Sequence, residues 1–151
     1  MSKYKTFKID ISTILANKII EYTPIFKNKD ITIKKNIPPH LTANWTEKDF
    51  VRVIDNIISN AYYYSINGST FELNVSGDKK LLIEMISTPT NVDNLDLNNI
   101  FTKGFRGVSS EVENSYGKGF GLYLCRLLLQ SIGGSINVGI INENVKFTIM
   151  L

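Results

Sequence analysis

Phe50, Ile54, Ile57, Ile58 and Ala61 follow one another at i, i+4, i+7, i+8 and i+11. This spacing lines one face of an α-helix, and no strand could turn all five side chains to the same side. Thr46-Glu47-Lys48-Asp49 precedes the stripe and reads as the start of that helix. An amphipathic helix of this kind has to bury its apolar face against a second layer. Asn67-Gly68 is a turn pair leading into an alternating stretch at 70–75, and Gly77-Asp78 is a second turn leading into 81–86. The two stretches are expected to form a hairpin. A third helix is expected over 120–132, ended by Gly133-Gly134, and 135–138 with 145–151 alternate as a closing hairpin.

Before the central helix, residues 6–11 alternate as a strand, and Ser12 is in position to cap a helix running through Ile14, Leu15, Ile19, Ile20 and Tyr22. Ile31-Thr32-Ile33 reads as a short strand that gives way to a loop at Pro38-Pro39. Residues 88–99 and 102–117 are long and mostly polar, and loops of this length in a compact domain are usually functional or mobile. The pattern predicts an α+β fold, a two-layer α/β sandwich. Its mixed, antiparallel-leaning sheet would be covered on one face by three helices. A chain of 151 residues suits a single core, so residues 1–151 are expected to form one domain.

Composition excludes several classes of function. The net charge is only +3 and the lysines are scattered (Lys3, Lys5, Lys18, Lys27, Lys29, Lys34, Lys35), so no basic stripe for nucleic acid is expected. Cys125 is the sole cysteine, which rules out an internal disulfide and a cysteine zinc cluster; its apolar neighbours make it a buried helix residue. No stretch approaches the roughly 18 apolar residues of a membrane span, and the start lacks a signal-peptide core. The expectation is a cytoplasmic segment without membrane contact of its own, whatever anchors a parent protein.

Two motifs carry chemistry. Asn56 and Asn60 stand four apart and project from one face of the central helix. An Asn carbonyl oxygen is a hard, neutral ligand suited to Mg²⁺, which is commonly completed by water and substrate phosphates; two Asn on a polar helix edge can equally be plain solvated side chains. Gly117-Lys118-Gly119-Phe120-Gly121-Leu122 opens the third helix, where glycines allow close backbone approach and free N–H groups attract phosphate. The same run could serve only as a hinge. A Rossmann site is disfavoured, because a polar loop precedes the glycines instead of a strand.

Taken in series, these segments resemble the ATP-binding catalytic domain of bacterial sensor histidine kinases. Asp55-Asn56-Ile57-Ile58-Ser59-Asn60-Ala61 is similar to that family's N box, Ile100-Phe101-Thr102-Lys103-Gly104-Phe105-Arg106 to its F box, and the run from Gly117 to Leu122 to its G2 box. The resemblance implies that Asn60 binds Mg²⁺ with Asn56 beside the phosphates, and that Lys103, Arg106 and Lys118 supply cations near the phosphate chain. Gly117, Gly119, Phe120, Gly121 and Leu122 would wrap the phosphates, and residues 102–116 would form an ATP lid. The implied activity is binding of ATP with Mg²⁺ and donation of the γ-phosphoryl group to a histidine on a separate dimerisation and phosphoacceptor domain, a response regulator being an indirect partner. His40 follows Pro38-Pro39 in an expected loop and is read as a plain surface residue rather than the acceptor.

The chain departs from the family pattern at the adenine end. Counting back from Ile100-Phe101, the positions of the family's adenine-binding Asp and its two following glycines hold Ser87, Pro89 and Asn91, and the usual supporting Thr is Val145. A Lys common three residues after the second Asn is Tyr63. Related ATPases of this fold place a Glu four residues before the metal Asn, where Asn56 stands and cannot act as a base. That favours transfer to a protein over hydrolysis. The alternative is a degenerate docking module that binds nucleotide weakly or not at all.

Overall fold

The computed structural model describes residues 5–77, 79–90 and 121–151. Strand β1 (Phe7–Asp10) runs into helix α1 (Ile11–Lys27), followed by β2 (Thr32–Asn36) and β3 (Thr42–Trp45). Helix α2 (Glu47–Tyr64) leads to β4 (Thr70–Gly77) and β5 (Leu81–Ser87); α3 (Gly121–Gln130), β6 (Ser135–Ile141) and β7 (Asn144–Met150) complete the described chain. Five strands form a sheet in the order β2-β4-β5-β7-β6, with β2 and β6 at its edges. Among the described strands of this sheet, only the β2–β4 pair is parallel. Parallel neighbours need a crossover, and α2 provides it, which sets this helix across the sheet.

Alternation along the strands sends one face inward: Phe71, Leu73 and Val75 on β4, Leu81, Ile83 and Met85 on β5, and Val145, Phe147 and Ile149 on β7 are all buried. They meet Leu15, Ile19 and Phe26 of α1, the whole expected face of α2, and Cys125 and Leu129 of α3. The opposite face is mixed, with Leu82 opposite Met150 and Lys146 Nζ 2.8 Å from Glu84. This is the α+β sandwich expected, and both hairpins are antiparallel.

Three details differ from the sequence reading. Ser12 does not cap α1. Asp10 does, accepting the Thr13 N–H at 3.0 Å, while Ser12 lies inside the helix with its hydroxyl donating to Pro38 O and accepting from Leu41 N–H. Helix α1 also continues past Pro24 to Lys27. The continuation seats Phe26, fully buried, with ring centroids 6.1 Å from Tyr22, 5.5 Å from Tyr62 and 5.3 Å from Phe71. That burial outweighs the backbone hydrogen bond a proline cannot donate. Finally, the sequence pattern gives no strand at β3, which pairs antiparallel with β1 as a separate two-stranded ribbon, Phe7 opposite Trp45.

The start of α2 and the end of α3 match their sequence signals. Thr46 caps α2 by accepting the Asp49 N–H at 3.2 Å. At the end of α3, Gly133 takes φ +75° and Gly134 N–H reaches Leu129 O at 2.9 Å, closing a Schellman motif that a side chain at Gly133 would strain.

Candidate functional site

Helix α2 carries Asn56, Asn60 and Tyr63 at 0, 4 and 7, a stripe beside its buried face. Asn56 and Asn60 are both half-buried, and their amides are engaged differently. Asn56 Nδ2 donates to Arg52 O at 2.9 Å, which turns its oxygen toward α3. A Cβ built on Gly121 would lie 2.9 Å from Asn56 Oδ1, so the start of α3 approaches this Asn as closely as only glycine permits. Asn60 makes no side-chain hydrogen bond among the described residues. Its carbonyl oxygen is a neutral hard donor of the chemistry that Mg²⁺ takes. Among the described residues, no group of three His, Cys, Asp or Glu could hold a metal ion.

At the far end of the inner sheet face, Ser87 on β5 stands directly opposite Val145 on β7. Both are buried, and the Ser87 hydroxyl has no hydrogen-bond partner among the described residues. The two adenine-end departures are therefore cross-strand neighbours. Beyond them Thr88 Oγ1 and Asn144 Oδ1 are 2.8 Å apart, and Pro89 is buried where it bridges to Ser65. Leu122 is half-buried against the core and Tyr63 packs edge-on against Tyr62. Lys103, Arg106, Gly117, Lys118, Gly119 and Phe120, with the 102–116 lid, lie outside the described residues.

Two contacts missed by sequence reasoning brace this helix. Asp55, next to Asn56, accepts the Tyr22 hydroxyl at 2.9 Å and lies 3.0–3.2 Å from Lys18 Nζ, which ties α1 to α2. Cys125 packs on the other side, its Sγ 3.7 Å from Val53 O. Burial pushes this thiol up to about 12, against a nearby hydrogen bond with Asn56 that lowers it. Starting from about 9, its thiolate fraction near neutral pH is about a thousandfold smaller than that of a free thiol. An alkylating reagent at pH 8 is expected to leave the native chain unmodified and to label it once denatured; rapid native labelling would contradict the burial. The raised value also stabilises the fold fully below about pH 9, and that contribution is lost toward about 12 as the unfolded thiol ionises first.

The residues from 46 to 151 match the model of a family described as histidine kinase-, DNA gyrase B- and HSP90-like ATPases. The chain belongs to this family. The sensor protein VanSC of Enterococcus gallinarum is 24% identical over 147 residues, 97% of this chain but 41% of that protein, so the chain spans less than half the relative's length. The catalytic domain of histidine kinase ThkA superposes with a TM-score of 0.82 at 14% identity, over 98% of this chain and 95% of that one. Full-length ShkA in complex with AMPPNP gives a TM-score of 0.76 at 18% identity, over 98% of this chain and 31% of that one. The family and its fold thus agree with the resemblance read from the sequence. Among the described residues, no helix is long and apolar enough to cross a membrane.

Proposed function

We propose that the chain binds ATP with Mg²⁺ against the Asn56–Asn60 face of α2 and donates the γ-phosphoryl group to a histidine on a separate dimerisation domain, for relay to a response regulator. The observation that carries this is Asn60, a half-buried amide in the segment that resembles the family's N box, with no side-chain hydrogen-bond partner among the described residues. Bound there, magnesium would neutralise charge on the phosphates. Asn60 would hold the cation through its carbonyl oxygen. Asn56 would help shape the phosphate end beside Gly121, and without a useful pKa it would not activate water. Lys103, Arg106 and Lys118 would add positive charge along the phosphates. The solved complex of ShkA with AMPPNP, an ATP analogue, supports a nucleotide in this fold. His40 is exposed in a turn at φ +66° and not on a helix, which supports an acceptor on another segment or chain.

The second reading, a docking module with little or no nucleotide affinity, is favoured by Ser87 and Val145 at the adenine end and by Tyr63 in place of a lysine. Calorimetric titration with Mg²⁺ and a non-hydrolysable ATP analogue separates the two, since silence at millimolar nucleotide would establish the docking module. The same titration tests the purine end. A neutral hydroxyl can accept from an adenine amine and donate to a guanine carbonyl, so weak ATP binding with relaxed exclusion of GTP is expected. Ser87→Asp with Val145→Thr should tighten ATP selectively by about 1–2 kcal/mol, roughly 5–30-fold. Tight, adenine-selective binding by the wild type would assign the recognition to another acid, such as Asp93.

A further inference from the structure

The last turn of any α-helix leaves backbone carbonyls without intrahelical partners. In α2 these carbonyls are taken up by groups from elsewhere in the chain. Lys29, in the turn after α1, sends its ammonium to Tyr62 O at 2.6 Å and Tyr63 O at 3.2 Å, and the same charge lies 4.8 Å from the centre of the Tyr62 ring. The Lys29 carbonyl in turn accepts the Gly68 N–H at 2.8 Å, on the turn that leaves α2. From the opposite side, Thr90 N–H donates to Tyr64 O at 2.8 Å and Ile66 N–H to Thr88 O at 2.9 Å, so the segment following Ser87 is fastened to the same helix end. The end of α2 is clasped between the turn after α1 and the segment after β5.

The clasp matters because of what the stripe carries. Asn56, Asn60, Tyr63 and Tyr64 fall at 0, 4, 7 and 8 along one side of α2, and its last turn delivers two of them. A cation at a helix C-terminus satisfies the carbonyls and complements the helix dipole; removing it lets the last turn fray. We propose that Lys29 is a positioning residue of the nucleotide site, touching no ligand itself and fixing the last turn of α2 and the Ser87–Thr90 segment on which a nucleotide would rest. This inference depends on the nucleotide reading given above.

Lys29→Met keeps the apolar stem over Tyr62 and deletes the ammonium, whereas Lys29→Arg restores a charged donor able to reach both carbonyls. Affinity for Mg²⁺ with AMPPNP is measured by calorimetry at a temperature where each variant is fully folded, and melting temperatures are recorded separately. Lys29→Met is expected to bind about tenfold more weakly than wild type, the scale of lost charged hydrogen bonds, with Lys29→Arg recovering most of the loss. A Lys29→Met chain that melts earlier yet binds with wild-type affinity would reduce Lys29 to a stabilising contact and overturn the proposal. Should Lys29→Met fail to fold, Lys29→Gln, with a neutral donor for one carbonyl, carries the same comparison. Absence of binding by the wild type would refute the nucleotide reading and this inference with it; wild-type binding unaffected by the substitution refutes Lys29 alone.

Discussion

Asn60→Ala is expected to lower the affinity for magnesium-bound nucleotide by about a hundredfold and to leave the remaining binding indifferent to magnesium. Disturbing partners one step removed from a metal already costs about 10–100-fold, and Asn60 is proposed as a direct ligand. The substitution is otherwise mild. Asn60 is half-buried with no hydrogen bond to lose among the described residues, and alanine is a better helix former than asparagine. Its effect should therefore appear in binding and not in the melting temperature. Titrations with magnesium and with a chelator, run on wild type and variant, make the comparison. A variant that keeps the wild-type magnesium response would remove Asn60 from the metal site.

Phe26→Ala should have the opposite signature, a large loss of stability with no direct effect on ligand contacts. The ring is fully buried among Tyr22, Tyr62 and Phe71, so it joins α1, α2 and β4 at one point. Truncating a buried Phe to Ala costs about 3–5 kcal/mol in transfer energy and residual cavity. For a chain of this size that corresponds to a melting temperature lower by about 10 °C. Denaturant unfolding of both forms supplies the measurement. A loss under about 1 kcal/mol would mean that the site collapses around the missing ring, and that the passage of α1 through Pro24 is held by something other than Phe26.

Much of this architecture is legible in the sequence because its cause is local. The apolar stripe on α2 requires only helical spacing, and the two hairpins only alternation between turn residues; every expected residue of that stripe is buried. Asp10 and Ser12 show where local reading fails. Both are good caps, and the choice rests on Pro38 and Leu41, more than 25 residues away, which occupy the Ser12 hydroxyl. Strand β3 fails for a related reason. Thr42–Trp45 is four residues long with only Trp45 buried, and its partner β1 lies beyond a whole helix. At the candidate site, counting between motifs placed Ser87 and Val145 at corresponding positions, and the register makes them direct neighbours because strand pairing is periodic. The Lys29 clasp has no such signature, since a side chain bound to distant carbonyls leaves no spacing to detect. Six of the site residues named from the sequence fall outside the described residues, and their placement rests on the motifs alone.

The strand order has a consequence for how the molecule behaves in a crowded solution. An edge strand offers unpaired backbone groups to any other extended chain, and proteins commonly guard such edges with charge. At one edge, β2 carries exposed Lys34 and Lys35, so an incoming strand would have to strip water from two ammonium groups. At the other edge, the seven residues of β6 bear no charge and no proline, and Ile140 and Ile141 remain 44% and 47% exposed. A short, uncharged, β-prone run of this kind is what aggregating chains add to. Among the described residues, strand addition therefore meets an electrostatic barrier at β2 and no charge within β6, which makes the closing hairpin the less guarded of the two sheet edges.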